Sequence, residues 1–339
     1  MKTRLLPAFI SLSALFLISA RPVTALPAQN SMEQLEALLP AGLQTPTAHL
    51  PPLRAAPEAD ASAAYNAFFE NADAAFDSRA VERLKSYKVI FVPGFLSDVD
   101  YAQFHIPGLK AKQYFDEQMG WLKGLGADFE RLTMKSESSV KENSAIVAAA
   151  IRASDKPVLL IAHSKGGLDA LDALISEPTL RAKVRGFVAL QSPFFGSPVA
   201  DYVSSNNHLN NLAVKTLLRL GGNKESMVNL TCADRKPYMT ANAAAIAEVT
   251  GAVPMLAMAT WKDPVDGKFD TSLKPIRDFM YEKGIQNDGL VPADSAVLPG
   301  AALIRAGGLD HLVTVRPSRT INLDRIKFTK ALLLTLFSR

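Results

Sequence analysis

"PVLLIAHSKGGLDALDAL", Pro157 to Leu174, holds the reading of the fold. A short apolar run, Val158 to Ile161, enters Ala-His-Ser-Lys-Gly-Gly and leaves at once into an amphipathic helical pattern. Ser164 is therefore either a nucleophile on a sharp strand-to-helix turn or an ordinary hydroxyl in a tight connection. A turn of that sharpness crowds the residues two before and two after the serine, so both must be small. They are Ala162 and Gly166, an A-x-S-x-G elbow in which alanine adds one methyl to the more usual glycine. The pentapeptide alone is a weak signal. A buried strand directly before it and a helix directly after it make the nucleophile the stronger reading.

The same alternation extends in both directions. "YKVIFVPGF" opens with an apolar run, Val89 to Val92, suited to a strand buried on both faces. A helical segment from about Lys112 to Leu125, a strand in "DFERLTM" and a helix over Glu142 to Ala153 follow. Beyond the elbow come the strand "VRGFVAL", strand character in "VPMLAMATW" and "AALIRAG", and a closing amphipathic helix in "INLDRIKFTKALLLTLF". Alternating strands and helices predict an α/β fold, a mostly parallel central sheet with helices on both faces. Ala63 to Leu84 has helical spacing, with Tyr65, Phe68, Phe69 and Phe76 on its apolar face. Between about residues 200 and 252 the strand pattern lapses. There "NLAVKTLLRL" gives a helical stripe before Gly221-Gly222, and the segment reads either as a helical cap or lid insertion or as a helix packed permanently on the domain.

A serine hydroxyl needs a base, a carboxylate to orient that base, and donors for the oxyanion. The chain has five histidines. His49 lies in a Pro-rich leader, His105 follows the first core strand and His208 sits in the cap-like segment. His163 adjoins the serine and is expected to pack beneath the elbow. His311, in "RAGGLDHLVTV", follows the last strand on a Gly-rich loop and is the expected base. Asp263 in "TWKDPVDG" and Asp288 in "IQNDGLVPADSA" compete for the acid; the Asp-Gly turn favours Asp288. Asp310 is expected to be exposed or locally bonded. One oxyanion donor is expected from the backbone N–H of Lys165, at the positive end of the helix. A second is expected from that of Phe95 in "VPGFLSD", where Gly94 permits an unusual backbone angle.

The 339 residues, 48% hydrophobic and 21% charged, suffice for one large domain, expected over residues 62–339. A net charge of +4 comes from scattered Lys and Arg without a polybasic block, so no nucleic-acid partner is expected. Lys2 and Arg4 precede the apolar run Leu5 to Ala20, and Val23-Thr24-Ala25 offers a cleavage site. Residues 1–25 therefore read as a signal peptide, with a retained anchor as the alternative, and export to the periplasm or medium is expected. Residues 26–61 read as an extended leader. The single cysteine, Cys232, allows no intrachain disulfide, and Asn229-Leu230-Thr231 matches a glycosylation acceptor.

From Tyr87 to Val315 these residues resemble the α/β-hydrolase superfamily and, within it, the secreted bacterial triacylglycerol lipases. "YKVIFVPGF" looks like the first core strand with its oxyanion loop, "LLIAHSKGGLDA" like the nucleophile elbow, and "QNDGLVPADSA" and "LDHL" like the acid and histidine segments. "VRGFVALQSPFFGSPVADYV" is similar to the strand, Thr-Pro-His-x-Gly-Ser loop and helix start of that family. The resemblance implies Ser164, Asp288 and His311 as catalytic residues, in agreement with their order in the chain. Pro93 and Phe194 stand where the family has histidines. Val313 stands where many members have a calcium-binding aspartate, so the resemblance raises calcium but implies an incomplete site; no other cofactor or metal is expected. The expected activity is an exported serine carboxylic-ester hydrolase, a lipase or esterase on apolar acyl esters, with a lipid or other acyl-ester substrate and transient contact with a lipid interface. A polyester depolymerase, an acyltransferase with the same triad, and a non-catalytic hydrolase-like binding module are the alternatives.

Overall fold

Along the central strands successive side chains leave on opposite faces, and nearly all of them are apolar and buried, which only a sheet covered on both sides can accommodate. A computed structural model describes residues 60–95, 97, 114–135, 138–205, 227–265 and 268–339. Six strands form one sheet: β1 (Lys88–Val92), β2 (Asp128–Arg131), β3 (Val158–His163), β4 (Val184–Leu190), β5 (Met255–Trp261) and β6 (Ala302–Gly307). Their order is β2-β1-β3-β4-β5-β6 and every pairing is parallel. All strands therefore end at the same edge, which is where connecting loops can gather side chains from distant parts of the chain.

Ile90, Val92, Leu160, Ala162, Phe187, Ala189, Met255 and Ala257 point to one face. There they meet α5 (Val140–Ala153), α6 (Lys165–Ser176), α7 (Pro198–Ser205), α8 (Cys232–Ala241) and α9 (Ala243–Ala252) through residues such as Val147, Ile151, Leu171, Val203, Met239 and Val249. Val89, Phe91, Leu159, Ile161, Val188, Leu190, Leu256, Met258 and Ile304 point to the other face. That face is covered by α1 (Ser62–Glu70), α2 (Ala72–Ala75), α3 (Ser78–Lys85), α4 (Asp116–Leu125) and α11 (Arg325–Phe337), with Tyr65, Leu84, Leu122, Phe328 and Leu332 buried against it. Helix α10 (Lys274–Glu282) follows β5. The helix starts are encoded locally. Ser139 and Glu142 close a capping box on α5, and the Asp324 carboxylate accepts the N–H groups of Ile326 and Lys327 at the head of α11.

The expected α/β architecture is thus the observed one, with local differences. The helical run from Ala63 to Leu84 is broken into three pieces at Asn71 and Asp77, and Asp77 caps the third by accepting the N–H of Ala80. Ala61 is already buried, its N–H donating to Leu303 O on edge strand β6. Of the segment 200–252, the described flanks pack on the core through Ala200, Val203, Met227, Leu230, Met239, Ile246 and Val249. "NLAVKTLLRL" lies outside the described residues, as do the signal segment, the leader up to residue 59, His49, His105 and His208. Asn229 is tied into the fold, its Oδ1 accepting the N–H of Val140 at 2.9 Å. The described residues fall in one compact unit, and none of their helices is long and apolar enough to cross a membrane.

Candidate active site

The elbow follows from sterics between β1, β3 and α6. Ser164 sits between β3 and α6 with φ 56° and ψ −128°, a left-handed backbone that costs a non-glycine residue of order 1–3 kcal/mol. Its N–H donates to Leu190 O at 2.9 Å, and Gly167 N–H donates to Ser164 O at 3.0 Å. A methyl on Gly166 would lie 2.3 Å from Val92 O and 2.7 Å from Pro93 O, so the first turn of α6 rests directly on the end of β1. A methyl on Gly94 would lie 2.6 Å from both His163 O and Ser164 Cβ, and 3.3 Å from Lys165 N. The loop after β1 therefore presses on the serine. Ala162 pairs with Val92 and Ala189, and its methyl is absorbed in the core.

As the first residue of α6, Lys165 offers an N–H with no partner within the helix, at its positive end. Its side chain does something the sequence did not signal. It is buried, with Nζ 3.0 Å from Asp169 Oδ1, while Asn143 Nδ2 reaches Asp169 Oδ2 at 3.4 Å. Burial pushes the Asp169 carboxyl up to about 7, against the opposing pull of Lys165 and Asn143. Phe95 is half-buried against the same core, one residue beyond Gly94.

Asp288 and His311 come together at the same sheet edge from loops flanking β6. His311 Nδ1 lies 2.8 Å from Asp288 Oδ2, and both residues are buried. Asp288 Oδ1 accepts the N–H groups of Leu290 and Val291 at 3.0 and 2.8 Å, and Asp288 O accepts the N–H of His311 at 2.9 Å. The preceding Asn287 is also tied down, donating to Arg277 O and accepting from Gly289 N–H. A carboxylate so held fixes the imidazole orientation and leaves Nε2 available to take a proton. The rival Asp263 is exposed and accepts a hydrogen bond from Tyr281.

His163 carries the elbow to this pair. Its ring centroid is 4.7 Å from that of His311, and its Nε2 donates to His311 O at 2.8 Å. Burial, reinforced by His311, holds His163 well below the usual imidazole range and keeps it neutral. Ser164 Oγ and His311 Nε2 are not hydrogen-bonded; such contacts often tighten only when substrate is bound. Asp310 is buried, and its carboxylate accepts the N–H groups of Leu312 and Val313 and the hydroxyl of Thr271. Local bonding, one of the two expected states, is thus combined with burial.

The "SPFFGS" loop stitches these parts together. Phe194 is fully buried in the core, with its carbonyl accepting from Arg235 Nε. Ser197 Oγ donates to Leu290 O at 2.6 Å, and Ser295 Oγ donates to Gly196 O, so the loop after β4 holds the Asp288 loop. Val313, at the position where the resemblance raised calcium, is a buried apolar residue that offers no side-chain oxygen. Among the described residues no group of three His, Cys, Asp or Glu side chains could hold a metal ion.

No family model matches the sequence, and no curated protein matches it. Solved structures do. A metagenomic carboxyl esterase superposes with a TM-score of 0.59 at 20% identity, over 75% of this chain and 76% of its own. The Bacillus licheniformis lipase BlEst2 in mature form superposes with a TM-score of 0.53 at 22% identity, over 67% of this chain and 85% of its own. The chain has the α/β-hydrolase fold. Ser164 follows the carboxyl end of β3 and His311 that of β6, so the elbow and the Asp288–His311 pair lie at the carboxyl edge of the parallel sheet. Sequence reasoning missed Gln191, Asn287, Ser197 and the Lys165–Asp169 pair.

Proposed function

We propose that this α/β-hydrolase is a serine carboxylic-ester hydrolase. One observation carries the reading: a serine in strained left-handed backbone on a strand-to-helix elbow, next to a histidine that touches the Asp288–His311 pair. In this reading Ser164 Oγ attacks the ester carbonyl while His311 Nε2 takes its proton. The tetrahedral oxyanion is received by the N–H groups of Lys165 and Phe95. As the intermediate collapses, His311 returns the proton to the departing alkoxide, leaving an acyl-Ser164 ester. Water then attacks that ester with His311 again as base, releasing the carboxylic acid and restoring the serine. Asp288 keeps the imidazole in the tautomer with its proton on Nδ1 and stabilises the imidazolium.

The lipase and esterase neighbours and the family resemblance support an acyl ester as substrate, and lipid or another apolar acyl ester is the proposed class. Export through cleavage after Ala25 belongs to the same proposal. Ser164→Ala should lower hydrolysis of a soluble p-nitrophenyl ester by about 10⁴-fold or more in a protein with unchanged circular dichroism. Turnover within tenfold of the parent would overturn the mechanism. A fluorophosphonate probe should label the parent and leave the variant unlabelled. Esters of short and long acyl chains, compared below and above their solubility limits, separate an esterase from an interfacial lipase.

A further inference from the structure

Gln191 is one of three non-glycine residues with positive φ among the described residues, at 53°, and it is fully buried. Backbone strain in a buried polar residue directly beyond β4 points to a demand from its surroundings. Its main chain continues the sheet, its N–H donating to Met258 O at 2.9 Å, while the carbonyl of the preceding Leu190 holds the N–H of Ser164. Its side chain turns to the histidine loop. Nε2 donates to Asp310 O at 3.0 Å and to Thr260 Oγ1 at 2.5 Å, and Oε1 accepts the hydroxyl of Thr314 at 2.7 Å. Thr260, Asp310 and Thr314 are all buried, so water offers no substitute for these bonds.

We propose that Gln191 is the positioning residue of the active site: the dipeptide Leu190-Gln191 fixes the serine through one backbone bond and the His311 loop through one side chain. The two bonds to that loop fall one residue before and three residues after His311, and His163 anchors the carbonyl of His311 itself. The imidazole is thereby held relative to the same strand end that holds the nucleophile. An amide suits the task because it donates to a carbonyl and accepts from a hydroxyl at once. Glutamate would lose the donor and leucine both functions. The proposal rests on His311 acting as the base.

The test compares Gln191→Leu and Thr314→Val in the parent and in a His311→Ala background, using a soluble p-nitrophenyl ester. With His311 present, Gln191→Leu should lower kcat about 10- to 100-fold with KM within about threefold, and Thr314→Val should lower kcat by a smaller factor. In the His311→Ala background neither should lower the residual rate further, because the group they position is gone. A parent-like kcat in folded Gln191→Leu, or an equal loss in both backgrounds, would overturn the proposal. Should Gln191→Leu fail to fold, Thr314→Val decides on the same criteria. Parent-like turnover in His311→Ala itself would remove the assignment of the base, a failure visible before any Gln191 variant is read.

Discussion

The elbow at Ser164 and the loop at His311 end at the same sheet edge but are fixed by opposite means. At the elbow, position is set by backbone crowding over a few residues, with Gly94, Ala162 and Gly166 keeping β1, β3 and α6 within near-contact distance. At the histidine loop, position is set by hydrogen bonds to Asp288, His163 and Gln191, residues that lie 23, 148 and about 120 positions away in the chain. Crowding is stiff and local, so it tolerates almost no added volume. A hydrogen-bonded seat is adjustable in shape but fails when a buried partner is removed.

Three variants sharpen that contrast. The largest effect is expected inside the elbow's helix, where Lys165→Met leaves the buried Asp169 carboxyl without the ammonium that opposes its upward shift. Stability should fall by about 3–5 kcal/mol in urea unfolding, and adding Asp169→Leu should recover most of the loss. A single variant as stable as the parent would show that the pair is not the anchor of α6. Next, Gly166→Ala places a methyl against Val92 O and should cost about 3 kcal/mol by the same measurement, because backbone atoms cannot step aside. A neutral effect would mean that crowding does not set the elbow.

The smallest effect belongs to the hydrogen-bonded side and depends on pH. Folded His163 stays neutral because burial disfavours its charged form, whereas unfolded His163 takes up a proton near pH 6.5. The unfolded state then binds more protons, so the parent's stability is intact above about pH 6.5 and declines as pH falls, by up to about 1.4 kcal/mol per pH unit. His163→Gln keeps a donor for His311 O and removes the titration. The difference between the two stability curves should be flat above pH 7 and move in favour of the variant between pH 6 and 5. A difference independent of pH would show that folded His163 takes up a proton as readily as the unfolded residue does.

The same division separates what could be read in the chain from what could not. The strand-elbow-helix pattern around Ser164 was legible because its causes are local: an apolar run, small residues at ±2, and a helical stripe. Ser164 and Lys165 fall where that pattern puts them, and chain order brought Asp288 and His311 to a bonded pair. Between Asp263 and Asp288, though, local composition offered only a preference, and it is the fold that exposes the first and buries the second beside His311. The burial of Asp310, the core packing of Phe194 in place of a loop histidine, and the engagement of Asn229 at the head of α5 were equally outside the reach of pattern.

By itself, "PVLLIAHSKGGLDALDAL" determined an elbow with a serine at its tip and, with the flanking strands, the class of the sheet, because backbone sterics and hydrophobic periodicity act over a few residues. The tertiary structure alone decided what holds the elbow and what faces it: the burial of the Lys165–Asp169 pair inside α6, the seat formed by His163 and Gln191, and the placing of Asp288 against His311. The seat and the Asp288–His311 contact depend on bonds between segments far apart in sequence, and the Lys165–Asp169 pair, four residues apart in one helix, on the burial that the surrounding fold imposes.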